Sequence, residues 1–379
     1  MLTFKPGDVF GQLAIESFLG AGLHGEVYAV RHVHTDQSFA LKVSHLVQRA
    51  DANAVRRALT AAKGTYSIEH ANVVKVFDLG CEDDGMVWIR MELLQGCSIA
   101  TLLAWQGRLS PRMALAVAYE AAWGLAAAHE AQIVHRDVKP GNLFLVNLGR
   151  GRTAVKLLDF SVAKVLPDSV ATTLGRNGLG TPGYMPAEQI FGAPAHPCFD
   201  IYALGMTLWT MLAGYHPFQA HLHDMHVIAQ KQVYELPPSL ADAGLPPSID
   251  DLVRRAVLKD PSARYPSMTA FARAIGEAHV WLAEEIAAGR LSFPMPPMEP
   301  AIPGAITHRA YVPPVSLRQA PSAPAAPAER VILAGVPDGA AEAEDVAATL
   351  PLGEEGLARF FPVRDAVIPP APPDRKENR

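Results

Sequence analysis

The order of strand-like and helix-like segments constrains the fold of this chain more than any other feature of its sequence. Residues 9–95 carry short apolar runs that are typical of β-strands, whereas residues 98–290 carry long Ala- and Leu-rich segments that are typical of helices. One helix-like stretch, at 50–67, interrupts the first part. The strand-like runs are VFGQLAIESFL, EVYAVRHV, SFALKVS, VVKVFDLG and MVWIRMELL. This order predicts an α+β protein in which a small β-rich part precedes a larger helical part.

The length and composition leave room for one large domain followed by a different kind of segment. Of the 379 residues, 49% are hydrophobic, which is enough for a domain of roughly 250–280 residues with a sizeable core. Beyond residue 290, however, 17 of the 32 prolines fall within 89 residues. We predict a Pro/Ala-rich linker over 286–330 and a largely disordered tail over 331–379, in which VILAGVP and LARFFPV are candidate docking motifs.

Charge and cysteine usage narrow the functional classes. A net charge of -5 argues against a protein that binds nucleic acid through bulk positive charge. Cys81, Cys97 and Cys198 form no CxxC pair, so we expect neither disulfides nor a zinc site and predict a reducing, cytoplasmic setting. The first residues do not resemble a signal peptide. The longest apolar run, 201–215, is too short for a transmembrane segment and predicts a buried helix.

Residues 133–145, IVHRDVKPGNLFL, place three chemically different side chains close together. Asp137 is a carboxylate, Lys139 is a cation two residues later, and Asn142 is an amide five residues later. Transfer of a phosphoryl group from ATP to a hydroxyl needs a carboxylate that orients the hydroxyl, a cation that balances charge and an oxygen ligand for a divalent metal. We therefore predict that Asp137 and Lys139 are catalytic and that Asn142 is a metal ligand.

A glycine-rich segment stands near the start of the chain. Its pattern, GxGxxGxV, consists of Gly20, Gly22, Gly25 and Val27, and by itself it fits either a Rossmann turn or a hairpin. A Rossmann turn should open a helix, but the strand-like EVYAV follows here. Because glycines between two strands let backbone N–H groups approach phosphates, the pattern favours a hairpin that covers a nucleotide.

Further motifs follow in order: FALK at 39–42, the HRD run, LLDF at 157–160 and GTPGYM at 180–185. Together they resemble the eukaryotic-like (Hanks-type) bacterial serine/threonine protein kinases over roughly residues 10–280. The resemblance implies a bilobal protein-kinase-like fold at 10–285, with a small β-rich N-lobe at about 10–95 and a larger helical C-lobe at about 96–285. It also implies that ATP binds between the lobes with Mg²⁺ or Mn²⁺, and that the substrates are proteins bearing Ser or Thr.

The resemblance also assigns the rest of the nucleotide and metal site. Lys42 would contact the ATP phosphates, and Asp159 would bind the metal together with Asn142. Met91 would be the gatekeeper residue. The residues expected to contact the adenine, through side chains or backbone groups, are Val27, Ala40, Met91, Glu92, Leu94 and Phe144.

A second set of residues would brace or regulate the site. The bracing residues are His135, Phe160, Thr181, Glu188, Asp200 and Arg264. Among them, Glu188 and Arg264 should form a buried ion pair, and Asp200 should hold the backbone of the HRD run. Arg136 is expected to bind a phosphate on the activation segment, residues 160–188. The candidate acceptors of that phosphate are Ser169, Thr172 and Thr173, of which Thr172 or Thr173 is preferred.

The sequence departs from the kinase pattern at three places. Ala61 stands where the family has a helix Glu that pairs with the strand lysine, so Lys42 is expected to pair with Asp159 or with ATP phosphates alone. Ser161 replaces the glycine of the DFG motif, and PAE at 186–188 replaces APE, which moves the restriction that proline places on φ by one residue. We expect the first change to lower activity and the other two to be tolerated.

Two other functions fit parts of the sequence. A pseudokinase, meaning a nucleotide-binding scaffold whose Pro-rich tail recruits partner proteins, is compatible with Ala61, Ser161 and the PAE motif. A small-molecule kinase on a similar fold is disfavoured by GTPGYM and the expected Glu188–Arg264 pair. We predict an active Ser/Thr kinase in signalling, because no catalytic or metal-binding residue is lost. Activation-loop autophosphorylation and homodimers formed through the small lobe are hypotheses that accompany this prediction.

Overall fold

The first part of the chain folds into a six-stranded antiparallel sheet, as the strand-like runs predict. A computed structural model describes residues 2–22, 25–44, 68–149, 152–159 and 182–293. The strands are β1 (Val9–Phe10), β2 (Leu13–Gly22), β3 (Gly25–His32), β4 (Ser38–Ser44), β5 (Val76–Cys81) and β6 (Val87–Glu92). Their order in the sheet is β1-β2-β3-β4-β6-β5. The helix expected at 50–67, with Ala61, lies outside the described residues.

The two faces of this sheet have different roles, because side chains alternate along each strand. One face packs into an apolar cluster whose buried members are Leu13, Ile15, Tyr28, Val30, Phe39, Leu41, Val43 and Met86. Val27, Ala40 and Lys42 lie between these positions and therefore belong to the opposite face. In the strand register Val27 is opposite Lys42, and Ala40 is opposite Met91. The sheet thus gathers four of the predicted nucleotide-site residues on one face.

The second part of the chain is mainly helical, which confirms the larger helical lobe. Its helices are α1 (Ile99–Gln106), α2 (Pro111–Glu130), α3 (Ala187–Ile190), α4 (Cys198–Ala213), α5 (Met225–Tyr234), α6 (Pro247–Ala256) and α7 (Met268–Ala287). The side chains of Ser98, Ser110 and Ser267 cap α1, α2 and α7 by accepting a backbone N–H of the first turn. Helix α2 packs on α7 through a face rich in buried alanines.

Helix α4 is buried along almost its whole length, which confirms the buried helix predicted for 201–215. Gly205 permits the close crossing of α6, because a Cβ at this position would lie 2.7 Å from the Cβ of Ala256. Asp200 and Tyr202 stand near the start of α4 and are completely buried. The helix therefore carries two polar side chains into the large lobe, where they need hydrogen-bond partners.

Hydrogen bonds of the segment just before β5 link the small lobe to the large lobe. A three-stranded sheet of the large lobe consists of β7 (Gly96–Ser98), β8 (Leu143–Asn147) and β9 (Thr153–Leu157). Leu157 N–H donates to Asn72 O at 2.8 Å, and Val74 N–H donates to Leu157 O at 3.0 Å. The Asn72 side chain also donates to Val155 O at 2.8 Å and to Glu120 Oε2 at 2.9 Å. These bonds tie the small lobe to the strand that leads to Asp159.

The packed helical part extends slightly beyond residue 285. Helix α7 ends at Ala287, and Leu291 and Phe293 still pack against the core of the large lobe. Within the described ranges, no helix combines the length and the apolar character needed to cross a lipid bilayer. The predicted linker and tail beyond 293 lie outside the described residues, so their boundaries stay predictions.

Candidate active site

The catalytic-loop residues predicted from the HRD run meet around one buried carboxylate. Asp137 is 4% exposed, and its Oδ2 lies 3.0 Å from the Nζ of Lys139. Asn142 Nδ2 donates to the same oxygen at 2.9 Å and to the backbone O of Asp137 at 2.7 Å. A carboxylate held by a cation and an amide donor has a fixed orientation. It could accept the proton of a hydroxyl placed beside it.

Asp200 of α4 holds the backbone of this loop, as the sequence predicts. Its carboxylate accepts the backbone N–H groups of His135 and Arg136, each at 2.8 Å, and lies 2.7 Å from His129 Nε2. Burial alone would raise the pKa of Asp200, but the bonds and positive charge offered by His129, together with His135, lower it. Asp200 therefore stays ionised while it is completely buried. His129 was not found from the sequence, because a single histidine in an Ala-rich helix carries no motif.

Arg136 has an unusual backbone conformation directly before the catalytic carboxylate. Its φ is +63°, in the left-handed region that non-glycine residues rarely adopt. Both backbone polar groups are pinned, the N–H by Asp200 and the O by Gln189 Nε2 at 2.9 Å. Its side-chain Nε is buried and has no hydrogen-bond partner among the described residues. The surrounding structure thus over-determines a strained loop, as is common at functional sites.

Lys42 pairs with Asp159, the first of the two alternatives that the sequence left open. Lys42 is 7% exposed, and its Nζ forms a salt bridge with Asp159 Oδ1. Asp159 also has a left-handed backbone, with φ of +59°. The preceding residue is fixed on both sides, because Leu158 N–H donates to Asn142 O at 2.9 Å and Leu158 O lies 2.8 Å from His135 Nε2. These backbone bonds set Asp159 beside the catalytic loop.

Asn142 and Asp159 have the donor atoms that a divalent oxygen-seeking cation requires. The Nδ2 of Asn142 is committed to Asp137, which leaves the amide oxygen as the atom able to coordinate a metal. A carboxylate and an amide oxygen suit Mg²⁺, which usually keeps waters and substrate phosphates as its other ligands. In the described part of the chain, no group of three or more His, Cys, Asp or Glu residues could hold a metal by itself. Two protein ligands leave positions for phosphate oxygens and waters, so Asn142 and Asp159 fit a Mg²⁺ ion that arrives with a nucleotide.

Comparison with known proteins agrees with this geometry. A family model of the protein kinase domain matches residues 13–274. The chain belongs to the protein kinase family. Among solved structures, the kinase domain of PknI from Mycobacterium tuberculosis aligns with a TM-score of 0.58 and 26% identity, over 73% of this chain and 99% of that one. The kinase fold predicted from the sequence is thereby confirmed.

Two curated relatives place the kinase among bacterial enzymes. Serine/threonine-protein kinase PrkC of Bacillus subtilis is 32% identical over 259 residues, which are 68% of this chain and 39% of that protein. Serine/threonine-protein kinase Pkn1 of Myxococcus xanthus is 34% identical over 281 residues, which are 73% of this chain and 39% of that protein. The chain therefore spans well under half the length of both relatives.

The glycines of the kinase's hairpin differ in how closely neighbouring atoms approach them. Gly25 has φ of +119°, and a Cβ there would collide with the backbone O of Val43 in the neighbouring strand. Gly25 is thus needed by the sheet itself. Among the described residues, no heavy atom lies within 4 Å of a Cβ built on Gly22. Gly20 pairs with Val27 across the hairpin.

Two of the predicted adenine-contact residues, Glu92 and Phe144, lie on strands of different lobes, and Glu92 forms an ion pair that the sequence did not reveal. Glu92 ends β6, and Phe144 in β8 is paired with Lys156 in β9. Lys156 Nζ lies 2.6 Å from Glu92 Oε1 and 3.2 Å from Val73 O. The same Glu92 oxygen accepts Lys75 N–H at 2.7 Å. An ion pair therefore connects β6 of the small lobe with β9 of the large lobe, and each of its side chains also forms a hydrogen bond with the backbone just before β5.

The buried ion pair expected between Glu188 and Arg264 is present. Arg264 Nη1 lies 2.6 Å from Glu188 Oε1, and Nη2 lies 3.2 Å from Glu188 Oε2. Arg264 also donates to the backbone O of Leu258 at 2.7 Å and of Cys198 at 3.2 Å. Pro186 stands directly before the short helix α3 with φ of -72°, so the inverted Pro-Ala order is accommodated as a helix start.

Several predicted residues cannot be placed. They are Phe160, Ser161, Ser169, Thr172, Thr173 and Thr181, all of which lie outside the described residues. Three residues that were not predicted from the sequence, His129, Lys156 and Gln189, each contact a motif residue. Only the position of Lys156, three residues before Asp159, offered a sequence signal that could have been used.

Proposed function

We propose that this kinase transfers the γ-phosphoryl group of ATP to Ser or Thr hydroxyls of proteins in a signalling pathway. The observation that carries the proposal is the catalytic loop, in which Asp137 is held by Lys139 at 3.0 Å and by Asn142 at 2.9 Å. The names of the relatives, which are serine/threonine-protein kinases, support the class of acceptor.

Each side chain has a defined task in this proposal. Asp137 orients the acceptor hydroxyl and takes up its proton, and Lys139 balances negative charge beside it. Asn142 Oδ1 and the Asp159 carboxylate would hold the divalent ion, and Lys42 would hold the phosphates. Mg²⁺-ATP supplies the phosphoryl group when it is bound. The contribution of the chain is mainly positioning and charge neutralisation.

Phosphorylation of the activation segment is the proposed form of regulation. Arg136 has a buried Nε without a hydrogen-bond partner among the described residues, and a phosphate oxygen is a strong acceptor for such a donor. We propose autophosphorylation at Thr172 or Thr173, with Ser169 as the further candidate. A phosphate there would draw the segment toward the strained backbone before Asp137.

A nucleotide-binding scaffold without phosphoryl transfer is the second candidate function. The salt bridge between Lys42 and Asp159 favours it, because the lysine then occupies the carboxylate that the metal needs. The family's helix Glu, which would draw Lys42 away, is replaced by Ala61. In this function the Pro-rich tail would recruit partner proteins.

Autophosphorylation of the purified full chain with Mg²⁺-ATP tests the first function, with phosphorylated residues mapped by mass spectrometry. Asp137→Asn should abolish the signal. Asp242→Asn is the matched control, since this exposed carboxylate lies in a surface turn. Phosphate on Thr172 or Thr173 in the wild type and in the control alone would support the kinase. No phosphate in any of the three, with ATP still raising the melting temperature, would support the scaffold.

Three further proposals concern the whole protein. Homodimers formed through the small lobe would make specific activity rise with protein concentration, and independence of concentration would refute them.

Binding of partner proteins by the tail predicts that a chain ending at 293 loses those partners in a pull-down. The cytoplasmic setting rests on cysteine usage alone.

A further inference from the structure

The backbone oxygen of Gly183 accepts hydrogen bonds from two buried side chains. Gly183 lies in the short 3₁₀ turn Pro182–Tyr184, within the GTPGYM motif. His216 Nε2 is 2.8 Å from this oxygen, and Gln232 Nε2 donates to it as well. His216 is 5% exposed, and Gln232 is completely buried. A carbonyl oxygen has two lone pairs, so these donors use its full capacity.

The protonation of His216 follows from its two contacts. Nδ1 accepts the backbone N–H of Phe218 at 3.1 Å, so the ring hydrogen must be on Nε2, which faces Gly183. Burial lowers the pKa of His216 to about 4, although the bond to Gly183 opposes this. His216 is therefore a neutral donor with a fixed tautomer.

Gln232 is oriented by a second layer of hydrogen bonds. Its Oε1 accepts the hydroxyl of Tyr202 from α4, which leaves Nε2 facing Gly183. Lys259 Nζ donates to the Tyr202 oxygen at 3.1 Å and to the backbone O of Gln232 at 2.7 Å. Burial, together with the charge of Arg264, lowers the pKa of Lys259 to about 8. A continuous hydrogen-bond network thus runs from the partly exposed Lys259 through the buried Tyr202 and Gln232 to the turn.

The space around the turn is also filled. A Cβ on Gly183 would lie 2.8 Å from Leu222 Cδ2 and 2.9 Å from His216 Nε2. The rings of Tyr184 and His216 are packed edge to face, with centroids 4.9 Å apart. The turn is therefore held by shape as well as by hydrogen bonds.

We propose that His216 and Gln232 are positioning residues that set the affinity for the protein acceptor by fixing the turn at 182–185. The inference rests on the proposed function and on the expectation, implied by the resemblance to Ser/Thr kinases, that the GTPGYM segment faces the acceptor. The hydrogen bonds of the His216 ring go to Gly183 and Phe218, and those of the Gln232 side chain go to Gly183 and Tyr202. Loss of either donor should therefore weaken use of the acceptor without weakening use of ATP.

The first test replaces Gln232 with Glu in the full chain. The donating amide becomes a carboxylate oxygen that faces the Gly183 oxygen, so two acceptors oppose each other. Gln230→Glu is the matched control, because it makes the same change on the exposed side of the same helix. With dephosphorylated casein as the acceptor, we expect Gln232→Glu to raise its KM about tenfold and the KM for ATP less than twofold. An equal rise in both constants would overturn the inference.

The second test separates hydrogen bonding from packing at His216. His216→Leu fills much of the space without a donor, and His216→Gln places an amide N–H near the position of Nε2. We expect the KM for casein to rise in the first variant and to return to within about threefold of wild type in the second. Equal impairment of the two variants would show that the hydrogen bond is not what matters.

Hydrogen exchange tests the inference without any catalysis. The amides of Gly183, Tyr184 and Met185 in the purified chain should exchange at least about tenfold faster in Gln232→Glu than in Gln230→Glu. Equal exchange in the two variants would overturn the inference. A wild type that transfers no phosphate would refute only the proposed function, and this comparison would then decide whether Gln232 fixes the turn.

Discussion

Two loops of the large lobe are braced by residues only two positions apart in α4, but by different means. Asp200 holds the catalytic loop with a buried charge that accepts backbone N–H groups of His135 and Arg136. Tyr202 acts on the turn at 182–185 through Gln232, a neutral amide that donates to the Gly183 oxygen. The contact made by Asp200 depends on an ionised carboxylate. The contact made through Gln232 depends on which of its side-chain atoms donates and which accepts.

This difference explains why the contact of Asp200 could be predicted from the sequence, whereas the contact of Gln232 could not. A buried carboxylate is tolerated only with several donors around it, so an apolar helix that contains a single Asp already indicates a partner. Tyr, Gln and neutral His occur in many surroundings, and nothing in their spacing marks them as a network. Charged braces can therefore be predicted from motifs, whereas neutral ones emerge from packing.

The largest effect is expected at the buried ion pair between Arg264 and Glu188. Arg264→Met would leave the carboxylate of Glu188, which is 4% exposed, buried without its cation. Removing one partner of a buried ion pair typically costs about 3–5 kcal/mol. We expect the free energy of unfolding, measured in urea, to fall by about this amount. The double variant Arg264→Met/Glu188→Gln should recover part of the loss, and no recovery would show that packing of the guanidinium dominates.

A smaller effect is expected when the charged brace is made neutral. Asp200→Asn keeps the shape of the side chain but turns one acceptor oxygen into a donor, which faces the donors of the catalytic loop. One or two unsatisfied buried groups cost about 2–3 kcal/mol. We expect this loss in urea unfolding and at least about a tenfold lower kcat, with binding of ATP retained. An unchanged kcat would contradict this expectation, because the charge of Asp200 would then contribute to stability alone.

The neutral brace should be sensitive to acid. The pKa of His216 is about 6.5 in the unfolded chain, whereas burial lowers this pKa to about 4 in the folded chain. Between these values the unfolded state binds more protons, so stability falls as the pH drops. The loss from this group should reach about 2 kcal/mol at pH 5 relative to pH 7. His216→Gln cannot titrate, so its urea unfolding should lose about this much less stability over the same range.

The smallest effect is expected at the connection between the lobes. Glu92→Gln removes the charge that faces Lys156 at 2.6 Å, in a pair whose side chains are 26% and 17% exposed. Partly exposed ion pairs contribute about 1 kcal/mol or less. We expect the KM for ATP to rise up to about fivefold and the KM for casein to stay constant. Glu69→Gln, at an exposed position of the same lobe, is the control.

Much of the site could be predicted because its chemistry is concentrated in short segments. Asp137, Lys139 and Asn142 lie within one loop, and their contacts follow from that closeness. The Lys42–Asp159 salt bridge was one of two alternatives, since no local signal distinguishes a carboxylate partner from a phosphate. The contacts of Lys156 and Gln189 were missed, because each joins a motif residue to a strand or helix distant in sequence.

The order of the two lobes and the charged groups of the catalytic loop could be predicted from the sequence. These features depend on side-chain alternation and on residues close together in the chain. The hydrogen-bond network of residues 183, 202, 216, 232 and 259 could be recognised only in the folded structure. The reason is physical: neutral hydrogen bonds act only at contact distance, and the packing of α4 against α5 brings these partners together.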